Sequence, residues 1–140
     1  MSNFKNLLDD ILLEQHKSFH ELEENGVIGK GTYYEFATYS PYLKTIIDIA
    51  NYLRVSLDYL ANRVTENHFK VYKYPQPNII RNIVNIMKNH KVSQRQLERD
   101  TDISRTNFVY WNRGSVPKFE TLITLADYFK CNIDDFLDFE

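Results

Sequence analysis

The sequence of 140 residues contains little of three residue types that define particular protein classes. Its one cysteine, Cys131, excludes an internal disulfide and a zinc site built from several cysteines. Four glycines and four prolines are few for a β-protein that depends on tight turns. The uncharged apolar runs are short, so we expect no segment that spans a bilayer. With 43% apolar and 26% charged residues, the chain is expected to be a mostly helical, cytoplasmic protein in a reducing environment.

The sequence also lacks a recognisable set of catalytic or metal-binding residues. The adjacent pairs Asp9-Asp10 and Asp134-Asp135 point in different directions on a helix, and we interpret them as charges at helix starts. A glycine-rich phosphate loop and a Ser-His-Asp set are missing. The four histidines are scattered along the chain at His16, His20, His68 and His90. We therefore predict that the protein is not an enzyme and needs no metal or other cofactor.

Charge is distributed unevenly along the chain. Residues 1–64 carry six basic and nine acidic side chains, whereas residues 78–130 carry nine basic and five acidic ones. The formal net charge of the whole chain is −2. A polyanion would therefore prefer the later part of the chain. An ordinary solvated surface with uneven charge is the alternative explanation.

The chain repeats itself at an offset of 75 residues, which becomes 76 after Ser40. Apolar positions agree on both sides of this slip. Identical pairs include Leu22 and Leu97, Ile28 and Ile103, Pro41 and Pro117, and Ala50 and Ala126. This pattern predicts a first unit at residues 1–63, a linker at residues 64–77 and a second unit at residues 78–140.

Local signals divide each unit into five short helices. In the second unit, Ser93 and Gln96 form a capping-box pattern, and Ser104 is a typical N-cap for the third helix. Gly114 suits a left-handed stop after that helix, and Pro117 suits the first residue of the next one. In the first unit, Ser18 and Glu21 form a capping-box pattern, and Ser56 is a typical N-cap for the last helix.

Residues 92–97, 103–108 and 111–117 together resemble the lambda-repressor-like helix-turn-helix family of XRE type. The tail from Leu122 to Leu137 is similar to the last two helices of that family. The first unit resembles the family less closely, through Leu22, residues 29–33, Phe36, Pro41 and residues 46–60. The resemblance implies an all-α fold with two tandem five-helix lambda-repressor-like domains joined by an extended linker.

The resemblance also implies a function. Members of the family are sequence-specific DNA-binding transcription regulators, usually repressors that act as dimers, and they occur in bacteria, phages and mobile elements. Double-stranded DNA is therefore the expected partner of the second unit. In the more acidic first unit, Glu35 would repel phosphates. The expected role of this unit is therefore assembly, as a homodimer surface, a protein-partner surface or a docking site for the second unit. The alternative for the whole chain is a protein-binding antagonist, or anti-repressor, that uses helix-turn-helix folds to bind another protein.

The third helix of such a unit enters the major groove of DNA. With Phe108 and Trp111 directed inward, the arginines on the opposite face can contact guanine, and Thr106 can meet a thymine methyl group. The expected DNA-binding residues are Gln94, Arg95, Ser104, Arg105, Thr106, Asn107, Tyr110, Arg113 and Lys118. In the first unit, weaker DNA or partner contacts are expected at Lys30, Thr32 and Tyr34.

The linker leaves the arrangement of the two units open. Pro75 and Pro77 favour an extended backbone at its end. Fully extended, the linker spans roughly 45 Å. This is enough to place the units on half-sites one helical turn apart, about 34 Å, and it equally allows the units to pack together.

Overall fold

A computed structural model describes residues 3–140, which form nine α-helices and one 3-10 helix. The described residues contain no β-strand, and the single β-bridge joins Tyr72 to Phe139. The predicted all-α class is therefore confirmed. The helices are α1 (Phe4–Glu14), α2 (Phe19–Glu24), α3 (Thr32–Glu35), α4 (Leu43–Leu53), α5 (Leu57–Leu60), α6 (Ile79–Asn89), α7 (Gln94–Asp100), α8 (Arg105–Asn112), α9 (Phe119–Phe129) and the 3-10 helix (Ile133–Phe136).

The helix starts follow the offsets found in the sequence. Helices α1 and α6 begin 75 residues apart, as do α2 and α7. Helices α4 and α9 begin 76 residues apart, as do α5 and the 3-10 helix. The left-handed backbone positions His16 and Lys91, and likewise Arg54 and Lys130, repeat at the same offsets. We call residues 3–63 the first half, residues 64–77 the connecting segment and residues 78–140 the second half.

The third helix is where the two halves differ most. Helix α8 has eight residues, whereas α3 has four. Gly114 follows α8 with a φ of 100°, as its predicted role as a left-handed stop requires. Short turns continue the chain after α3 as far as Ser40. The first half therefore presents only one helical turn where the second half presents two.

The buried apolar residues of both halves form one continuous core. Equivalent positions are buried in both halves, for example Leu22 and Leu97, Phe36 and Trp111, Ile46 and Leu122, and Leu60 and Phe136. Phe4 joins the halves directly, because its ring packs edge-on against Phe36 at 5.0 Å and against Phe119 at 5.8 Å. Edge-to-face pairs of this kind add specific contacts to simple apolar burial.

The connecting segment has no helix and packs against both halves. Tyr72 is fully buried, and its backbone N–H donates to the Oδ1 of Asn51 at 2.9 Å. Gln76 is 3% exposed, and its Oε1 accepts from the backbone N–H of Asp138 at 2.7 Å. Of the two arrangements that the linker length allows, the structure has the packed one.

The predicted caps are mostly confirmed. Ser56 Oγ accepts from the N–H of Tyr59 at 3.0 Å, and Ser93 Oγ accepts from that of Gln96 at 3.1 Å. The reciprocal half of the box predicted at Ser93 does not form, because the Gln96 side chain instead donates to the Tyr128 hydroxyl at 3.5 Å. The capping box at Ser18 is wrong, because its hydroxyl accepts no cap hydrogen bond and Glu21 instead accepts from the Tyr52 hydroxyl at 2.7 Å. The position of Pro117 is also wrong, since α9 begins two residues later.

Candidate nucleic-acid interface

Helices α7 and α8 form a helix-turn-helix whose turn is fixed by a threonine. Thr101 Oγ1 donates to the carbonyl oxygen of Leu97 at 2.7 Å and accepts from the N–H of Ile103 at 3.1 Å. Leu97 and Ile103 are buried on either side of this turn. The turn therefore holds α8 at a set angle to α7, as a reading helix requires.

The buried face of α8 determines which side chains it presents to solvent. The rings of Phe108 and Trp111 lie 4.8 Å apart, and both residues are buried as predicted. The side chains of α8 and its C-cap that are exposed as a consequence are Arg105, Thr106, Val109, Tyr110, Asn112 and Arg113. Tyr110 is 55% exposed, which is high for an aromatic residue. Four of the predicted contacts thus lie together on one accessible surface.

The cations of the second half remain available to a partner. Within residues 3–140, none of the nine lysines and arginines of the second half joins an ion pair. In the first half, four of the six do so: Lys5, Lys17, Lys44 and Arg63. Arg95, Arg105 and Arg113 are all exposed. Their charge is therefore not neutralised inside the protein, which suits a surface that meets a polyanion.

Two of the predicted contacts also hold the start of α8 in place. Ser104 Oγ accepts from the N–H of Asn107 at 3.3 Å, and Asn107 Oδ1 accepts from the N–H of Ser104 at 2.8 Å. This reciprocal capping box satisfies N–H groups that the first helical turn leaves unpaired. The sequence analysis assigned the cap to Ser104 but assigned Asn107 only to DNA binding.

Gln94 lies at the start of α7 with a partner that sequence reasoning missed. Its Nε2 donates to Glu98 Oε2 at 3.0 Å. These two residues line a shallow depression together with Arg95 and Arg105, next to the exposed face of α8. The carboxylate of Glu98 thereby orients the Gln94 amide. The spacing of four residues on a predicted helix is a signal that could have indicated this pair.

The equivalent surface of the first half differs in its chemistry. Lys30 and Tyr34 are exposed, and Thr32 is half-buried between them. The N–H of Gly31, at the start of α3, donates to Glu23 Oε2 at 3.2 Å. A carboxylate of the chain itself thus occupies the position where a helix start would meet a phosphate. Glu35, which is exposed, adds a second acid to the same surface.

Lys118, the last predicted contact, lies where the halves meet. It is exposed, and its Nζ is 5.7 Å from the ring centroid of Tyr42. Lys118 also lines a small cleft formed mainly by first-half residues, including Tyr39, Pro41 and Tyr42. The predicted DNA-contacting residues therefore extend from α7 across α8 to the boundary with the first half.

Burial raises the pKa of the Cys131 thiol to about 11, so this thiol stays protonated at neutral pH.

Among residues 3–140, no cluster of His, Cys, Asp or Glu side chains has the composition to hold a metal ion. In the same part of the chain, no helix has both the length and the apolar character needed to cross a membrane.

Residues 82–140 match the family model of the Cro/C1-type HTH DNA-binding domain. The matched range contains the whole of α7, α8, α9 and the 3-10 helix. The second half thus carries one Cro/C1-type helix-turn-helix domain, and the resemblance to the lambda-repressor-like family is confirmed there. The match supports a DNA-binding regulator and points away from an enzyme. No curated protein and no solved structure matches the chain.

Proposed function

We propose that the protein is a sequence-specific transcription regulator that represses by occupying DNA, with α8 as the helix that reads the major groove. The observation that carries this proposal is the exposed face of α8, where Arg105 and Arg113 form no ion pair with any residue in the range 3–140. This face lies within the segment that matches a DNA-binding domain. Exposed arginines on a helix of this kind suit contacts to guanine.

The other predicted residues would divide into positioning and reading contacts. Arg95 and Lys118 are exposed and would neutralise backbone phosphates. Thr106 and Tyr110, on the exposed face of α8, would contact base edges and a thymine methyl group. Gln94, held by Glu98, would donate to phosphate or support a base contact.

A comparison of charge variants at two salt concentrations tests this proposal. We expect Arg105→Ala combined with Arg113→Ala to weaken binding to a selected duplex at least tenfold, because each lost guanine contact costs about 1–3 kcal/mol. The matched control is Lys70→Ala with Lys73→Ala, which removes the same charge from exposed positions of the connecting segment. Equal losses in the two double variants, or binding that does not depend on salt, would contradict the proposal.

The first half supports a second candidate function, that of a protein-binding antagonist. Tyr34, Tyr39 and Tyr42 are 63%, 68% and 74% exposed and lie within nine residues of one another. Exposed tyrosines are typical of protein interfaces. A homodimer or a protein partner on this surface is the corresponding proposal for the first half. A lack of salt-sensitive DNA binding by the unmodified chain, or no effect of the Arg105/Arg113 double variant on binding, would favour it.

We also propose that the two halves are tandem helix-turn-helix domains, divided as residues 1–63 and 78–140. The support comes from the repeated helix starts and from the equivalent buried positions described above. Because the halves share one core, we expect them to unfold in a single transition. Calorimetry of the full chain would test this, and two separate transitions would contradict a shared core.

A further inference from the structure

Contacts between the two halves are reciprocal at the last helices. Asp58, in α5, accepts from the N–H of Ile133, the first residue of the 3-10 helix. The offset of 76 makes Asp134 the equivalent of Asp58 and makes Leu57 the equivalent of Ile133. The N–H of Leu57 donates to the Tyr72 hydroxyl at 2.8 Å, and that hydroxyl donates to Asp134 at 2.5 Å. The contact between Asp58 and Ile133 is therefore repeated between their equivalents, Asp134 and Leu57. The first contact is direct, and the second passes through the Tyr72 hydroxyl.

A second contact joins a position to its own equivalent. Tyr42 and Lys118 are separated by the same offset of 76, and the Lys118 Nζ lies 5.7 Å from the Tyr42 ring. In a twofold interface, residue i contacts j while j contacts i, and a residue meets its own copy only near the axis. The reciprocal pair and the self-pair are thus the two signatures of an approximate twofold axis between the halves.

We infer that the chain is an internal pseudo-dimer and that one chain fills a DNA site of the size that helix-turn-helix proteins usually fill with two subunits. This inference rests on the proposed function. Helix α8 reads one half of the DNA site. The surface of α3, which reaches the boundary between the two halves, lies along the adjoining part of the same duplex. The structure makes the two contacts unequal, because α3 has a single turn and Glu35 is exposed on it.

The surfaces that form the pseudo-twofold contact are not open to a second chain. Asp58 is 4% exposed, and both Ile133 and Tyr72 are fully buried. A homodimer built on this contact would first have to separate the halves and break the shared core. The recognised DNA sequence is consequently expected to be asymmetric, with one specific half-site, whereas twofold-symmetric dimers select palindromes.

Selection of bound duplexes from a random pool, followed by native mass spectrometry of the full-length complex, tests the inference. We expect one chain per duplex and a motif without twofold symmetry. Two chains on a palindrome would overturn the pseudo-dimer while leaving the proposed function intact. A complete lack of salt-sensitive DNA binding would overturn both.

A charge variant tests the placement of the first half along the DNA. Glu35→Gln is expected to raise affinity for the selected duplex several-fold, because it removes repulsion of the flanking phosphates. The matched control, Glu66→Gln, removes the same charge from an exposed position in the connecting segment and should change affinity less than twofold. Equal effects of the two variants would overturn the placement of α3 on the duplex.

Discussion

Both carboxylate oxygens of Asp58 lie 3.1 Å from the backbone nitrogen of Ile133, which is 75 residues further along the chain. Asp58 also pairs with Nη1 of Arg63. The Nε of Arg63 donates to Asp127 at 3.0 Å, and its Nη2 donates to the carbonyl oxygen of Cys131 at 3.0 Å. One arginine and one aspartate of the first half thus contact three residues of the second. This network is the polar counterpart of the shared apolar core.

Removal of Arg63 should destabilise the whole chain. Arg63→Ala leaves Asp58 buried without its cation, and the loss of one partner of a buried pair costs about 3–5 kcal/mol. We expect a fall of this order in the free energy of unfolding measured with urea. Lys44→Ala is the control, since Lys44 is 61% exposed in its pair with Asp48 and such surface pairs contribute about 1 kcal/mol or less. Similar losses in both variants would contradict a structural role for Arg63.

The carboxyl group of Asp134 should give stability an unusual pH dependence. Burial raises its pKa to about 6, against the opposing effect of the hydrogen bond from Tyr72. Between its ordinary pKa near 4 and a pH of about 6, only the folded state holds this proton, so stability from this group falls as pH rises. Asp134→Asn removes the effect.

Urea unfolding at several pH values measures this contribution. We expect the free energy of unfolding of Asp134→Asn, relative to the unmodified chain, to rise between pH 4 and pH 6 and then to remain level. The rise should be about 3 kcal/mol at most. Asp102→Asn, at an exposed position, should show no such change over the same range. A difference that is flat with pH for Asp134→Asn would refute the assignment.

The hydroxyl of Tyr72 should contribute more to stability than the hydroxyl of the exposed Tyr74. Tyr72→Phe removes the group that links Leu57 to Asp134 and leaves a buried N–H without its acceptor, at a cost of about 1–3 kcal/mol. Tyr74→Phe removes a hydroxyl from a residue that is 43% exposed and should have little effect. Thermal unfolding of the two variants makes the comparison, and equal melting temperatures would count against the bridge.

Ser104 should act first as a helix cap. We expect Ser104→Ala to reduce the free energy of unfolding by about 1 kcal/mol, because the N–H of Asn107 loses its acceptor. Ser115→Ala changes an exposed serine after α8 and should be nearly neutral. Chemical denaturation distinguishes the two. An unchanged stability of Ser104→Ala would contradict the capping role.

Reading and positioning contacts should respond differently to the DNA sequence. Arg95→Ala is expected to weaken binding to every duplex by a similar factor and to reduce the salt slope by about 1. Thr106→Ala is expected to relax the preference at one base pair while leaving the salt slope unchanged. Affinities for a panel of single-base variants of the selected duplex test both expectations. A uniform loss for Thr106→Ala would remove it from the reading face.

The helices and their buried faces could be predicted because local signals determine them. Spacing of apolar residues placed Leu97, Phe108 and Trp111 in the core, and hydroxyl caps marked the starts of α7 and α8. The second half could also be assigned to a family from its motifs, which the family match confirms. These features depend on residues close together in the chain.

The contacts between the halves could not be predicted, because they join residues far apart in the sequence. Nothing in the local pattern around Asp58 indicates that it is buried against Ile133. Tyr72 lies in a segment expected to be a linker, where nothing in the local pattern indicates complete burial. Glu21 likewise binds Tyr52 of another helix, so its side chain does not complete the capping box predicted at Ser18.

Covalent connection of the two halves changes how such a protein can evolve. In a dimer of identical subunits, each substitution appears twice, so a change that helps one copy is imposed on the other. In this chain, Glu23 accepts a hydrogen bond from the N–H of Gly31, just before α3. The equivalent residue of the second half, Glu98, accepts from the side chain of Gln94 instead. Substitutions can therefore change each half separately, and successive single mutations can match changes in an asymmetric DNA site.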